Sequence, residues 1–595
     1  MLNNIKYIFL LIFTFSAVVT SAQQDTSLTR EVEVTKAFKP TISDAHKINE
    51  MPKIDETEHQ QPKFDYNINS QPILNTFSVN KLKAATISSA QKKETGYGLI
   101  RAGVGNYNKP YGEFFFNNVN SKNSIFGIHA KHLSSHGNVT LEGGDKIDAP
   151  YSKNNAEVYY KHNLTKSILS IDVDFKHDGF NYYGYPIEPI PSILLEENQS
   201  ITYQGTKQAF SKGGLNVNLK NITAEMDDPA FNFNFKYHYF GTKTEQSEHF
   251  GEFEMDFQKP LDTGTLLTNT GVTFVQANNI LNTTLDTIGK RTETLLFVKP
   301  AWYYEGKMAN ISLGLNAWFI LNNDMDAVAK ITPNIRVNFT PVKDVFKLYA
   351  GIDGNYINNH YSKIAYENPF VDPMHDVKNS FEKIHFYGGI DGKFSSKTNF
   401  KISVDYSMID DQPFYYLNEY YYTEQPVSHN PLIVNNTFDI LYDDINLLKF
   451  NLEIFHISSK KLNLLLSGNY YVYNLDEQTE AWNMPDWDAT FSLDYKITEQ
   501  LSVGTDIYLI GGRKALIQDL TSLFSPSSFL EDLGTVNKSY NLDTTFDLNV
   551  NANYQITQKF SVFGQLNNFG FQKYQRWFGY PVQSFNALVG VSYAF

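Results

Sequence analysis

Cysteine is absent from the 595 residues. That absence removes disulfides, zinc–thiolate sites, iron–sulfur clusters and cysteine nucleophiles together. It also removes the N-terminal Cys that a lipoprotein anchor needs. Charge is scarce too: Asp, Glu, Lys and Arg make up 19% of residues, against about 25% in a typical soluble domain. The charge present runs acidic, with a formal net of −14, which argues against nucleic acid as a partner. No apolar run after residue 22 is long enough for a membrane helix, which needs about 20 residues. G-x-S-x-G, H-E-x-x-H and P-loop signatures are all missing. We therefore expect no enzyme and no cofactor.

Aromatics are abundant, at 15% of residues with 38 Tyr and 45 Phe. The mean hydropathy is nevertheless negative, at −0.36. Many aromatics at modest hydropathy suit strands with one apolar and one polar face. The chain opens with a secretory signal. Lys6 is its positive region, Tyr7 to Val19 its apolar run, and Thr20-Ser21-Ala22 its cleavage site. Residues 1–22 are thus the signal peptide, and the mature chain starts at Gln23.

Residues 23–95 are polar and punctuated by Pro40, Pro52, Pro62 and Pro72. They offer little apolar surface to offset ordering entropy, so an extended or irregular segment is expected. From about residue 96 a period of two takes over. Leu542, Thr544, Phe546, Leu548, Val550, Ala552, Tyr554 and Ile556 share one parity, and Asn541, Asp543, Thr545, Asp547, Asn549, Asn551, Asn553 and Gln555 share the other. Side chains alternate across a strand, so such a segment has two unlike faces. Its length matches the roughly 9–11 tilted residues that cross a bilayer. Phe400–Met408, Trp487–Ile497 and Phe585–Phe595 repeat the pattern. The expected fold is all-β, a large antiparallel transmembrane β-barrel over residues 96–595, preceded by a mostly irregular periplasmic segment.

Counting by parity and turns gives about 22 strands. The weakest are 209–221 and 329–339, where Pro333 removes a ladder donor. Tight polar turns, such as Asn163–Lys166, Gly306–Ala309 and Ser458–Lys461, alternate with connections that include long ones. The long ones are expected at 134–155, 180–206, 278–291, 360–380, 410–440, 474–486, 511–540 and 571–583. Barrels of the outer membrane have short periplasmic turns and long external loops. This alternation puts residues 23–95 and Phe595 in the periplasm of a diderm bacterium. Outer-membrane lipid is then the surrounding solvent.

The end of the chain resembles a known family. Leu566-Asn567-Asn568, Tyr574, Trp577-Phe578-Gly579-Tyr580-Pro581 and the final Val591-Ser592-Tyr593-Ala594-Phe595 look like the C-terminus of TonB-dependent receptor barrels. Tyr593 and Phe595 also resemble the signal read by the barrel-assembly machinery. The resemblance implies uptake of a solute across the outer membrane. It also implies a globular plug, and residues 23–95 are too short for one. Glu31, Val32, Glu33 and Val34 are weakly similar to a TonB box, the strand that pairs with TonB. The alternative is a non-transporting scaffold in an assembly or secretion complex, with residues 23–95 docking another periplasmic or outer-membrane protein.

Candidate ligand contacts are the loop aromatics Tyr415, Tyr416, Tyr420, Tyr421 and Tyr422. Exposed rings stack on flat apolar faces or anchor protein partners. Tyr182, Tyr183 and Tyr185 form a second cluster. His129 and His132 fall on opposite strand faces, so joint metal ligation with His136 is not expected. Asn323, Asp324 and Asp326 lack the Gly and Glu of a calcium loop. No metal site is expected.

Overall fold

The computed structural model describes residues 97–595, apart from 119–122, 142–143, 185–206, 223–227, 283–286, 323–324, 343–344, 374, 420–436, 459–460 and 520–535. Glu31–Val34, Tyr185 and Tyr420–Tyr422 lie outside the described residues.

The main sheet holds 24 strands, of which 22 close into an antiparallel ring. The first ring strand, Gly98–Gly105, pairs on one side with Lys109–Asn117 and on the other with the last, Asn586–Ala594. Phe595 seals this seam. Its carbonyl accepts the N–H of Tyr97 at 2.6 Å and of Gly98 at 3.1 Å, and its own N–H donates to the Gly98 carbonyl at 3.0 Å.

The two faces are inverted relative to a soluble protein. Val104 and Val589 point outward, 66% and 58% exposed, while Asn549 and Ser592 face the lumen at 3% and 6%. An apolar exterior around a polar lumen is the stable solution when lipid is the solvent. Backbone groups find partners only in neighbouring strands, and closure leaves no edge.

Pro333 lies inside the strand Met325–Val342, opposite Leu315. Pairing with the next strand, Phe346–Ile357, begins only at Ile335. The missing N–H therefore falls in a gap. Side chains fill it: Asn316 Nδ2 donates to the Gly354 carbonyl at 3.1 Å, and Thr332 Oγ1 does so at 3.4 Å.

Tight turns and both described termini occupy one end of the ring. The opposite end carries most of the long connections, and several hold unexpected structure. Segment 511–540 contains a strand, Arg513–Asp519, paired with Val536–Leu542. Leu542 thus belongs to this hairpin, and the ring strand begins at Thr545. Segment 360–380 contains the helix Tyr361–Glu367. Segment 278–291 is mostly ring strand, within Gly264–Asn282 and Thr287–Glu305. Segment 410–440 is shorter than expected, because the flanking strands run to Glu419 and from Phe438.

Candidate functional site

Strand Thr398–Glu419 outgrows its neighbour Ser380–Ser395, whose pairing with it ends at Asp410. The free edge beyond would be a liability. The hairpin covers it: Leu516–Asp519 run parallel to Tyr416–Glu419. This small sheet is apolar on both sides, so it needs two cores. Phe414 and Leu516 face one, with Ile409, Trp482 and Met484. Tyr415, Leu417, Ala515 and Ile517 face the other.

That second core is a lid over the lumen. Phe210 and Phe240 point inward from strands Lys207–Asn221 and Ala230–Thr242, with ring centroids 5.4 Å apart. Tyr361 of the helix packs on Phe240 at 6.0 Å. Phe180 joins Phe210 at 4.9 Å and Phe370 at 6.0 Å. Phe370 stacks on Tyr580, Tyr580 meets Phe438 at 6.1 Å, and Phe438 meets Trp577 at 5.6 Å. Ala230–Thr242 is the seventh ring strand and Phe438–Ser458 the sixteenth, so the two are close to opposite in a ring of 22. A chain of touching rings between opposite walls has to cross the lumen.

Polar bonds tie the lid together. Arg513 donates to the carbonyls of Arg576 at 2.6 Å and Gln575 at 2.7 Å. Asn483 Nδ2 donates to the Tyr415 carbonyl at 2.7 Å. Asn359 Nδ2 donates to Ser380 Oγ at 2.8 Å, clamping the two legs of the helical connection. Gly579, at φ 78°, turns the chain between Trp577 and Tyr580, a conformation that disfavours a Cβ. Burial brings the Arg576 guanidinium down to about 10. Burial alone would lower the His375 imidazole, but its bond to Asp439, with Asp372 and Asp376 nearby, raises it overall.

The expected loop aromatics divide. Tyr415 is not on a loop surface: it is 1% exposed, edge-on to Trp577 at 5.1 Å. The strand extension and its covering hairpin explain that burial. Tyr416 is half-buried, and its hydroxyl donates to Asp439 at 3.1 Å. Tyr182 is fully buried, and Tyr183 donates to the Pro581 carbonyl at 3.0 Å. Tyr593 and Phe595 stack at 6.4 Å beside the seam. His129 bonds Glu113 and His132 bonds Asn154, so the structure does not bring these histidines together.

Sequence reasoning missed Arg513, Trp577 and Phe370 as lid residues. Their segments have no long period-two pattern. The usable signal was the short apolar stretch Ala515-Leu516-Ile517 inside an otherwise polar connection.

No protein-family model matches the sequence, and no curated protein does. Solved structures match over most of the chain. The pyoverdine outer membrane receptor FpvA of Pseudomonas aeruginosa PAO1 aligns with a TM-score of 0.60 at 11% identity, covering 85% of this chain and 79% of that one. The fold is similar to that of TonB-dependent receptor barrels. The siderophore receptor PirA from Acinetobacter baumannii gives 0.59 at 9% identity, covering 85% of this chain and 81% of that one. The ferric-catecholate import receptor Fiu of E. coli K12 gives 0.56 at 9%, with 85% and 82% covered. At these identities the likeness is one of receptor-barrel fold. These neighbours are transport receptors, not enzymes.

Proposed function

We propose that this chain is an outer-membrane uptake barrel whose lumen is gated by its own long connections. The carrying observation is the ring network from Phe210 and Phe240 to Phe438 and Trp577. A 22-strand ring is wide enough to need an obstruction, and much of this one is built from connections between strands. The closed lid also carries a cost: Trp577 Nε1 and Asn368 Nδ2 are buried without a hydrogen-bond partner among the described residues. Each such group costs about 1–3 kcal/mol, which favours a lid that opens over one that is permanent.

In this reading the long-connection end faces outside and the tight-turn end faces the periplasm. Residues 23–95 lie in the periplasm in place of a globular plug, and Glu31–Val34 offer a strand to TonB or another periplasmic protein. Tyr416, Tyr420, Tyr421 and Tyr422 meet the arriving solute, and Tyr415 joins them once the lid lifts. The assembly machinery reads Tyr593 and Phe595.

A closed lumen also suits a non-transporting scaffold. Two chains in planar bilayers separate the readings: the mature protein, and a variant with 359–378 replaced by a short turn. A gated barrel is silent as the mature protein and conducts as the variant. Silence from both removes the lid as the gate. Stoichiometric co-purification of other envelope proteins with a barrel that stays silent favours the scaffold.

A further inference from the structure

We propose that His238, Glu248 and His360 form a binding site for a zinc-class divalent cation, tying the lid to the barrel wall. His238 lies on strand Ala230–Thr242 and Glu248 on its partner Ser247–Leu261. Phe240 is opposite Glu248 and His238 is opposite Phe250, so His238 and Glu248 are diagonal neighbours on the lumenal face. His360 comes from the lid, as the residue preceding the helix Tyr361–Glu367.

The three side chains converge. Glu248 Oε1 is 2.9 Å from His360 Nδ1 and 3.8 Å from His238 Nε2. The three ligand atoms all lie within 4.8 Å of one another. Zn–N and Zn–O bonds of about 2.0–2.2 Å set tetrahedral ligand atoms roughly 3.4 Å apart. The two Glu248 separations, 2.9 and 3.8 Å, straddle that spacing. Two imidazoles and a carboxylate are a zinc donor set. Calcium and magnesium prefer all-oxygen cages.

The surroundings are those of a built site. Side-chain exposure is 12% for His238, 2% for Glu248 and 13% for His360. Phe250 packs against both imidazoles, stacked on His238 at 4.7 Å and tilted to His360 at 5.0 Å, which restrains their orientation. Ser362 Oγ is 2.9 Å from His360 Nδ1 and 3.4 Å from His238 Nε2, and the Ser362 N–H points at Glu248 Oε2 at 3.4 Å. The serine hydroxyl thus stands beside the fourth coordination position, where it would hold a bound water. Because two donors belong to the wall and one to the lid, the cation cross-links them.

The test uses the mature chain folded in detergent, stripped with EDTA and dialysed. Zn2+ is titrated by calorimetry, and Co2+ is added as a visible-absorption probe of geometry. One equivalent of Zn2+ should bind, with tetrahedral cobalt bands. His238→Ala and His360→Ala should each weaken binding by more than the roughly 10–100-fold that loss of an outer-shell partner costs. His136→Ala should leave it unchanged. Heat-modifiable mobility on gels checks that each variant is a folded barrel. His360→Ala changes only the lid, so the proposal stays testable if the strand variant misfolds. Zn2+ should also slow proteolysis within 358–379 in the parent but not in His360→Ala. No stoichiometric binding by the folded parent overturns the proposal, as does undiminished binding by folded His360→Ala.

Discussion

The ring of Phe370 lies on that of Tyr580 with centroids 3.5 Å apart and planes 17° from parallel. One residue belongs to the helical connection and the other to the last long connection. Gly184 lies so close to Tyr580 that a side-chain carbon there would collide with its ring. This stack is the point where three connections meet.

Tyr580→Ala should loosen the lid without opening the ring. Emptying a buried aromatic site costs about 3–5 kcal/mol, and every 1.4 kcal/mol is about tenfold in an equilibrium. Openings in planar bilayers should become at least about a hundredfold more frequent, while heat-modifiable mobility stays that of a folded barrel. Parent-like silence would mean that the stack does not hold the lid.

Arg513→Ala should free the covering hairpin. The side chain donates to two backbone carbonyls, and hydrogen bonds from a charged donor contribute about 1.5–3 kcal/mol each. Limited proteolysis should cut within 513–542 and 575–581 sooner than in the parent. Arg513→Lys should rescue little, because one ammonium does not reproduce the fork.

Acid should tighten the lid and base should loosen it. His375 is raised by its bond to Asp439. A raised histidine contributes stability that is complete below its unfolded value of about 6.5 and is lost as pH climbs through the folded value. Proteolysis within 358–379 should therefore accelerate as pH rises above neutrality. Asp439→Asn should flatten that dependence, and an unchanged slope in the variant would assign it to another group.

Leu315→Arg tests which face meets lipid. Leu315 is 45% exposed on the outer face of the strand Ala309–Asn322. A cation at the bilayer midplane of such a barrel costs about 2–4 kcal/mol. Urea unfolding from vesicles should show a loss of that order. A loss near zero would mean that Leu315 sits outside the hydrocarbon.

The ring was legible because each strand repeats the same physical demand. Phe546 and Val589 could be assigned outward, and Asn549 inward, from parity alone. Pro333 looked like an obstacle because its backbone gap and the filling by Asn316 and Thr332 depend on a third strand. The lid was not legible. Leu542 and Phe546 share a parity, yet one faces the lid core and the other faces outward, because the hairpin strand ends at Leu542 and the ring strand begins at Thr545. Tyr415 looked exposed because its cover, Arg513–Asp519, is remote in sequence. His360 and Glu248 are separated by 112 positions, beyond any local metal-ligand spacing.

The seam has a consequence for biogenesis. Ala587 donates to the side chain of Asn106 across 481 positions of sequence. Joining ends so far apart costs on the order of 5 kcal/mol in chain entropy, and the ladder offsets it only when the last strand arrives. Until Asn586–Ala594 meets Gly98–Gly105 no cylinder exists, and both strands present raw margins open to mispairing.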